Sequence, residues 1–409
     1  MMRRRAFLAG GAAAGTGAVL GRVLGDGAPA RGAEAGGAHA PAREVPFEGP
    51  HQAGVVEARP RHAIFAAFDS VAPSRTELAD ALVALSDRAR RLTRGYDALI
   101  GAPGEGPTPD SGILGPQVRP SGLTVTIGLG ATLFDGRYGL ADRRPRGLRA
   151  MPTFPDDALV PEETHGDLLL QLCADSEQVL LHALRDLMRA TRGSLAARWK
   201  IEGYLPEEPP KGASRNLLGF KDGTANPDTS DRALMQRLVW VGAGGGEPAW
   251  AAGGTYQVVR IIRNRVEFWD RVARSEQELM IGRDKASGAP LGRRGEDDDP
   301  DYPRDPHGER IPMDAHIRLA RPRTPATEGS RILRRSYNYS RGLDAAGQLD
   351  MGLVFCCFQA DVERQFAAVQ KRLAGEPLVD YIVPTGGGYF FVPPGARDEQ
   401  DWVGSGLFA

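Results

Sequence analysis

Asp222 lies in the run Leu217-Leu218-Gly219-Phe220-Lys221-Asp222-Gly223-Thr224-Ala225-Asn226-Pro227. Glycine, aspartate, asparagine and proline each favour a turn for a separate backbone reason. A turn accounts for the segment. It also holds one carboxylate on a short loop, where it can trade a proton with a bound ligand. Of the seven histidines, His316 stands apart: Ala315, Ile317 and Leu319 surround it, and Arg318, Arg321 and Arg323 follow closely. One reading is a satisfied histidine in a strand. The sharper reading is a haem ligand, because a neutral imidazole nitrogen binds haem iron and nearby guanidiniums match the two propionates. Further on, Arg334 and Arg335 follow the apolar pair Ile332-Leu333.

Other chemistries find little support. No histidine pair has H-E-x-x-H spacing, and no G-x-S-x-G occurs. The glycine-rich stretch at 242–248 lacks the lysine and the strand-turn-helix context of a phosphate loop. The three cysteines, Cys173, Cys356 and Cys357, form no C-x-x-C, which argues against a zinc ribbon, covalent haem attachment and a disulfide framework. The 409 residues carry a net charge of −1, so no basic excess draws nucleic acid.

These residues need a scaffold. Residues 62–71 read as a strand and "SRTELADALVALSDRARRLTRG" as a helix with Ser74 as N-cap and Gly95 as its stop. Strands are expected at 123–130 and 167–174, a helix at 175–191 and a strand at "RWKIEGY". That β-α-β…β-α-β order is a ferredoxin-like unit. The second half repeats the theme, with strands at 253–265, 352–360 and 386–394 and helices over "VEFWDRVARSEQELMIGR" and 361–375. The expectation is an α+β protein of two ferredoxin-like domains, 46–212 and 213–409. Residues 283–312 read as a polar loop whose Glu296-Asp297-Asp298-Asp299 run is solvated rather than cation-binding. The start, "MMRRRAFLAGGAAAG", pairs Arg4-Arg5 with a mildly apolar run. Residues 1–45 therefore read as a twin-arginine signal and linker, with export to a periplasm or the cell exterior.

Four motifs, "GFKDGTANP", "MDAHIRLARPR", "RILRRSYNYSRG" and "GLVFCCFQAD…GGGYFFVPP", occur in one order. Together they resemble the dye-decolourising (DyP-type) haem peroxidases over roughly residues 48–400, closest to the exported subgroup that includes iron-uptake deferrochelatase/peroxidases. The resemblance implies non-covalent haem b, His316 as the proximal metal ligand, and Asp222 and Arg334 as the distal catalytic pair. It brings Gly223, Thr224, Ala225, Arg321 and Arg323 against haem, with Arg323 as a propionate partner, and Asp380 near the acidic position behind the imidazole. Glu376 is close to Asp380 in sequence. The implied partners are hydrogen peroxide, small-molecule reductants, an iron-uptake system and a second copy of the chain in a homo-oligomer such as a dimer. The implied reaction is oxidation of dyes or phenols. The competing readings are release of iron from haem with the porphyrin intact, and haem carriage without catalysis. Trp240, Trp250, Trp269, Tyr337 and Tyr339 are candidates for long-range electron transfer to bulky donors.

Overall fold

The computed structural model describes residues 43–98, 108, 110–206 and 212–409. The run expected to be a twin-arginine signal lies outside the described residues. Eight long antiparallel strands carry the architecture. They are β1 (His62–Ser70), β2 (Thr124–Gly130), β3 (Leu168–Ala174), β4 (Leu195–Tyr204), β5 (Thr255–Asn264), β7 (Tyr337–Leu343), β8 (Leu349–Gln359) and β9 (Ile382–Val392), with a two-residue strand β6 at Leu333–Arg334. The first four pair in the order β2-β3-β1-β4 and the last four in the order β9-β5-β8-β7. Both are the 4-1-3-2 arrangement of a ferredoxin-like unit, so the duplicated topology is present in the backbone.

The two sheets meet edge to edge. Phe390 and Phe391 of β9 pair with Gly130 and Leu129 of β2, and Tyr204 of β4 pairs with Asn338 of β7. The strands thereby close on themselves, which leaves no long bare edge for another chain to pair with. Alternation does the rest. Phe65, Leu169, Trp199, Val259, Tyr337 and Phe390 point inward to one core, and Ile64, Leu170, Val125 and Val258 point outward beneath the helices. The covering helices of the first half are α1 (Arg75–Arg94) and α2 (Glu177–Ala190), and Ser74 Oγ caps α1 by accepting from Glu77 N–H. All three cysteines are buried thiols.

Three elements differ from the sequence reading. The single helix expected over "VEFWDRVARSEQELMIGR" is broken into Val266–Trp269 and Arg274–Ile281. Residues 337–343 form the strand that completes the second unit. Its last four residues are exposed, so it carries little apolar periodicity. His316 starts a one-turn helix, α3 (His316–Ala320), and does not lie in a strand. From this helix Arg318 reaches back into the loop before it, donating to the carbonyls of Ile311 and Asp305 at 2.7 Å each. The helix also rests on Gly282, whose φ of +89° ends the preceding helix and whose missing side chain leaves room for Ile317. The acidic run has protein partners: Glu296 pairs with Lys221, Asp298 accepts from Gly295 N–H, and Asp299 pairs with Arg323. Among the described residues no helix is long and apolar enough to cross a membrane.

Candidate haem site

A tight hairpin presents Asp222. Arg215 and Lys221 bridge, and the Asn216 side-chain oxygen accepts from Leu218 and Phe220 N–H at the tip. Asp222 N–H donates to Ser214 O at 2.8 Å, which closes the hairpin and starts the next turn. There Gly223, at φ +105°, lets the chain reverse so that Asn226 N–H reaches Gly223 O at 3.0 Å. Thr224 and Ala225 form the middle of that turn. Arg334 comes from β6, and its Nη1 donates to Asp222 Oδ1 at 2.7 Å. A charge-assisted bond this short fixes both side chains.

Among the described residues His316 hydrogen-bonds through Nδ1 alone. The two oxygens of Glu376 lie 2.8 and 3.0 Å from it, and no protein group bonds Nε2 among the described residues. Burial opposes a charge on the ring. The adjacent Glu376 carboxylate overrides that and raises the imidazole pKa above its ordinary value. Glu376 is 3% exposed. It sits between Gly375, which leaves helix α4 (Ala368–Leu373) with φ +74°, and Pro377, which starts a 3-10 turn. This corrects the expectation for Asp380. Asp380 lies at the far end of that turn, exposed, with its backbone oxygen accepting from Arg265 Nη1 at 3.2 Å. One turn of 3-10 helix separates the carboxylate that faces the imidazole from the one that faces solvent.

One cavity of about 260 Å³ gathers these groups. Asp222, Gly223, Thr224, Ala225, His316, Arg321, Arg323, Arg334 and Glu376 line it, and Asp380 does not. Leu353, Phe355, Phe366, Leu373 and Ile382 supply apolar walls. Arg331 belongs to the same wall and was not singled out in the sequence, where it is only the first residue of its motif. Arg321 and Arg331 share the carboxylate of Glu328, and among the described residues the buried Nε of each has no partner. Burial, with Arg331 and Arg323 close by, lowers the Arg321 pKa, so this wall is short of negative charge. The donor set therefore fits haem: apolar walls for the ring, an imidazole with a free nitrogen for iron, and unsatisfied guanidiniums for propionates. Arg323, at φ +57°, gives one nitrogen to Asp299 at 2.9 Å.

Fold and cavity define a class: a haem oxidoreductase with a carboxylate–guanidinium pair in its pocket. The comparisons narrow it. Residues 52–205 match the family profile "Dyp-type peroxidase, N-terminal" and residues 213–397 match "Dyp-type peroxidase, C-terminal". The chain belongs to the DyP-type peroxidase family and is a haem peroxidase. It is 48% identical over 371 residues to the deferrochelatase of Escherichia coli strain K12, covering 88% of this chain and 86% of that protein. Among solved structures it resembles a DyP-type peroxidase from Cellulomonas bogoriensis, with 36% identity and a TM-score of 0.79 over 90% of this chain and 98% of the other. Ferric DtpA from Streptomyces lividans is equally similar at 36% identity and a TM-score of 0.80, again over 90% and 98%.

Proposed function

We propose that His316 is the proximal ligand of a non-covalent haem b, and that Asp222 and Arg334 handle the proton and the charge when hydrogen peroxide reacts. The observation that carries this reading is the 2.7 Å contact of Arg334 with Asp222 in the same cavity as an imidazole backed by Glu376. Bound haem supplies the iron at which peroxide is reduced and from which electron donors are then oxidised. Nε2 of His316 would hold the iron, and Glu376 accepts a hydrogen bond from Nδ1–H and so fixes the tautomer. Asp222 would take a proton from one peroxide oxygen and give it to the other, making that second oxygen a better leaving group. Arg334, always cationic, stabilises negative charge on the departing oxygen. Arg321, Arg331 and Arg323 would hold the propionates. Gly223, Thr224 and Ala225 line the same cavity and would let the turn approach the ring closely.

The electron donors are dyes, phenols or other small reductants. The family matches at 52–205 and 213–397 support the division into two ferredoxin-like domains near residue 212. The basic, Ala-rich start supports export through the twin-arginine route, to a periplasm or the exterior. A second reading, iron release from haem within an iron-uptake system, is favoured by one observation, the 48% identity to a deferrochelatase. A homodimer follows from the resemblance alone. The test is rapid mixing of haem-loaded protein with hydrogen peroxide, followed in the Soret band. The native protein responds, and Asp222→Asn and Arg334→Leu slow the response by about 10²–10⁴-fold with haem still bound. Equal rates in all three proteins would remove the pair from the mechanism. Free protoporphyrin among the products would select the iron-releasing reading.

A further inference from the structure

Strand β6 has only two residues. One side of it pairs with β8, where Arg334 faces Cys357 and Leu333 faces Phe358. On the other side the Arg334 peptide meets a side chain. Nδ2–H of Asn226 donates to Arg334 O at 2.8 Å, and Arg334 N–H donates to Asn226 Oδ1 at 3.1 Å. A primary amide offers one carbonyl and one N–H in a plane, the same pair a neighbouring strand would present. Reversing the amide would set acceptor against acceptor and donor against donor, so the Arg334 peptide itself dictates its orientation.

We propose that Asn226 is a positioning residue that seats Arg334 on Asp222 by pairing with the Arg334 backbone as a surrogate strand. This inference rests on the proposed function for its catalytic meaning. Asn226 closes the same four-residue turn that Asp222 precedes, through its N–H on Gly223 O at 3.0 Å. Pro227 follows and is buried, and a residue before proline is held extended. The carboxylate loop and the guanidinium strand are thus locked together at two points. Asn226 fixes where the Arg334 main chain lies, and the Asp222–Arg334 bond fixes where its side chain ends. Arg59 adds a third tie from the first half of the chain, donating from Nη1 to Ser336 O at 2.6 Å, two residues beyond Arg334. Without Asn226 the long arginine side chain would start from a looser base. A misplacement of about 1 Å can cost a reaction roughly 10²-fold.

The test uses Asn226→Leu, which keeps the shape and removes both polar atoms, with Arg334→Leu as reference. The first readout needs no haem: hydrogen exchange at the Arg334 amide of the full chain. Loss of one net hydrogen bond predicts exchange faster by about tenfold in Asn226→Leu. The second readout is the rate with hydrogen peroxide after haem loading. The expected result is a fall of about 10²-fold, with haem affinity and the KM for an organic donor unchanged. Unchanged exchange at Arg334 would overturn the contact. Faster exchange with a native peroxide rate, while Arg334→Leu is slow, would overturn the positioning role. A native rate in Arg334→Leu would instead defeat the proposed function, and the exchange readout would then decide the contact by itself. Should Asn226→Leu not fold, Asn226→Asp retains the acceptor for Arg334 N–H and loses the donor to Arg334 O. It should keep the slow exchange yet lower the peroxide rate, and a native rate would overturn the proposal.

Discussion

Replacing Glu376 with glutamine removes a charge and keeps a hydrogen bond. The carboxylate oxygens lie 2.8 and 3.0 Å from Nδ1 of His316, and the side chain is only 3% exposed, so solvent screens the pair little. Hydrogen bonds to charged groups contribute about 1.5–3 kcal/mol and neutral ones about 0.5–1.5 kcal/mol. The charge is therefore worth about 1–2 kcal/mol to whichever state of the site is more positive. With haem held by His316 as proposed, the more positive state would be the ferric one. For a one-electron couple, 1.4 kcal/mol corresponds to about 59 mV, so Glu376→Gln should raise the ferric/ferrous potential by about 40–85 mV. The assay is a spectroelectrochemical titration of the haem-loaded protein. Asp380→Asn is the control, because Asp380 is exposed and lies outside the cavity lining. An unchanged potential in Glu376→Gln, or a shift produced by Asp380→Asn, would refute the assignment of Glu376 as the imidazole's partner.

Three other outcomes are expected. Gly282→Val should move the helix that begins at His316, because a Cβ at Gly282 would lie 2.7 Å from Ile317 Cγ1 at a φ of +89°. Overpacking and left-handed strain together predict a loss of about 2–4 kcal/mol, read by thermal unfolding, and weaker haem binding by titration. The fold should weaken in acid. His182 is buried between Tyr96 and Ser111, and burial lowers its pKa although Asp110 and Asp186 pull the other way. A histidine with a depressed folded pKa stabilises the fold fully above its unfolded value of about 6.5, and that stability drains as pH falls toward the folded pKa. Urea midpoints between pH 7.5 and 5 should therefore drop less in His182→Asn than in the native protein; equal drops would exclude the group. Finally, Asp222→Asn should slow steady-state dye oxidation by about 10²–10⁴-fold with haem affinity unchanged; an unchanged rate would count against Asp222 as the shuttle.

The period-2 strands were readable because each has one face in the closed inner core and one beneath helices. The repeated β-α-β order followed from them. Strand 337–343 escaped notice because Ser340, Arg341, Gly342 and Leu343 are exposed, so only its first three residues obey the pattern. The apolar residues around His316 mimic a strand. A single helical turn is too short to show a 3.6-residue period, and what fixes it is a contact with Gly282, far away in sequence. The same limit explains Asp380. Two acids four residues apart look equivalent on paper, and only the reversal at Gly375 and Pro377 decides which one turns inward. Asp222, Arg334, Arg321 and Arg323 were legible as motif residues, whereas Asn226 was visible only as a turn-former. Its pairing with Arg334 spans 108 residues of chain.

The ion pair of Arg260 with Asp157 crosses between the two halves, and each side chain is 1% exposed. Arg260 also lines the cavity, with Nε and Nη1 unpartnered among the described residues. A duplicated fold ordinarily suggests a part that can be cut free and grafted elsewhere. Here the half that holds the cavity buries a cation whose counter-charge belongs to the other half, and stranding such a cation costs about 3–5 kcal/mol. The cofactor-bearing half has lost its independence: recombination or engineering that swaps one half must carry Asp157 along, or redesign position 260 with it.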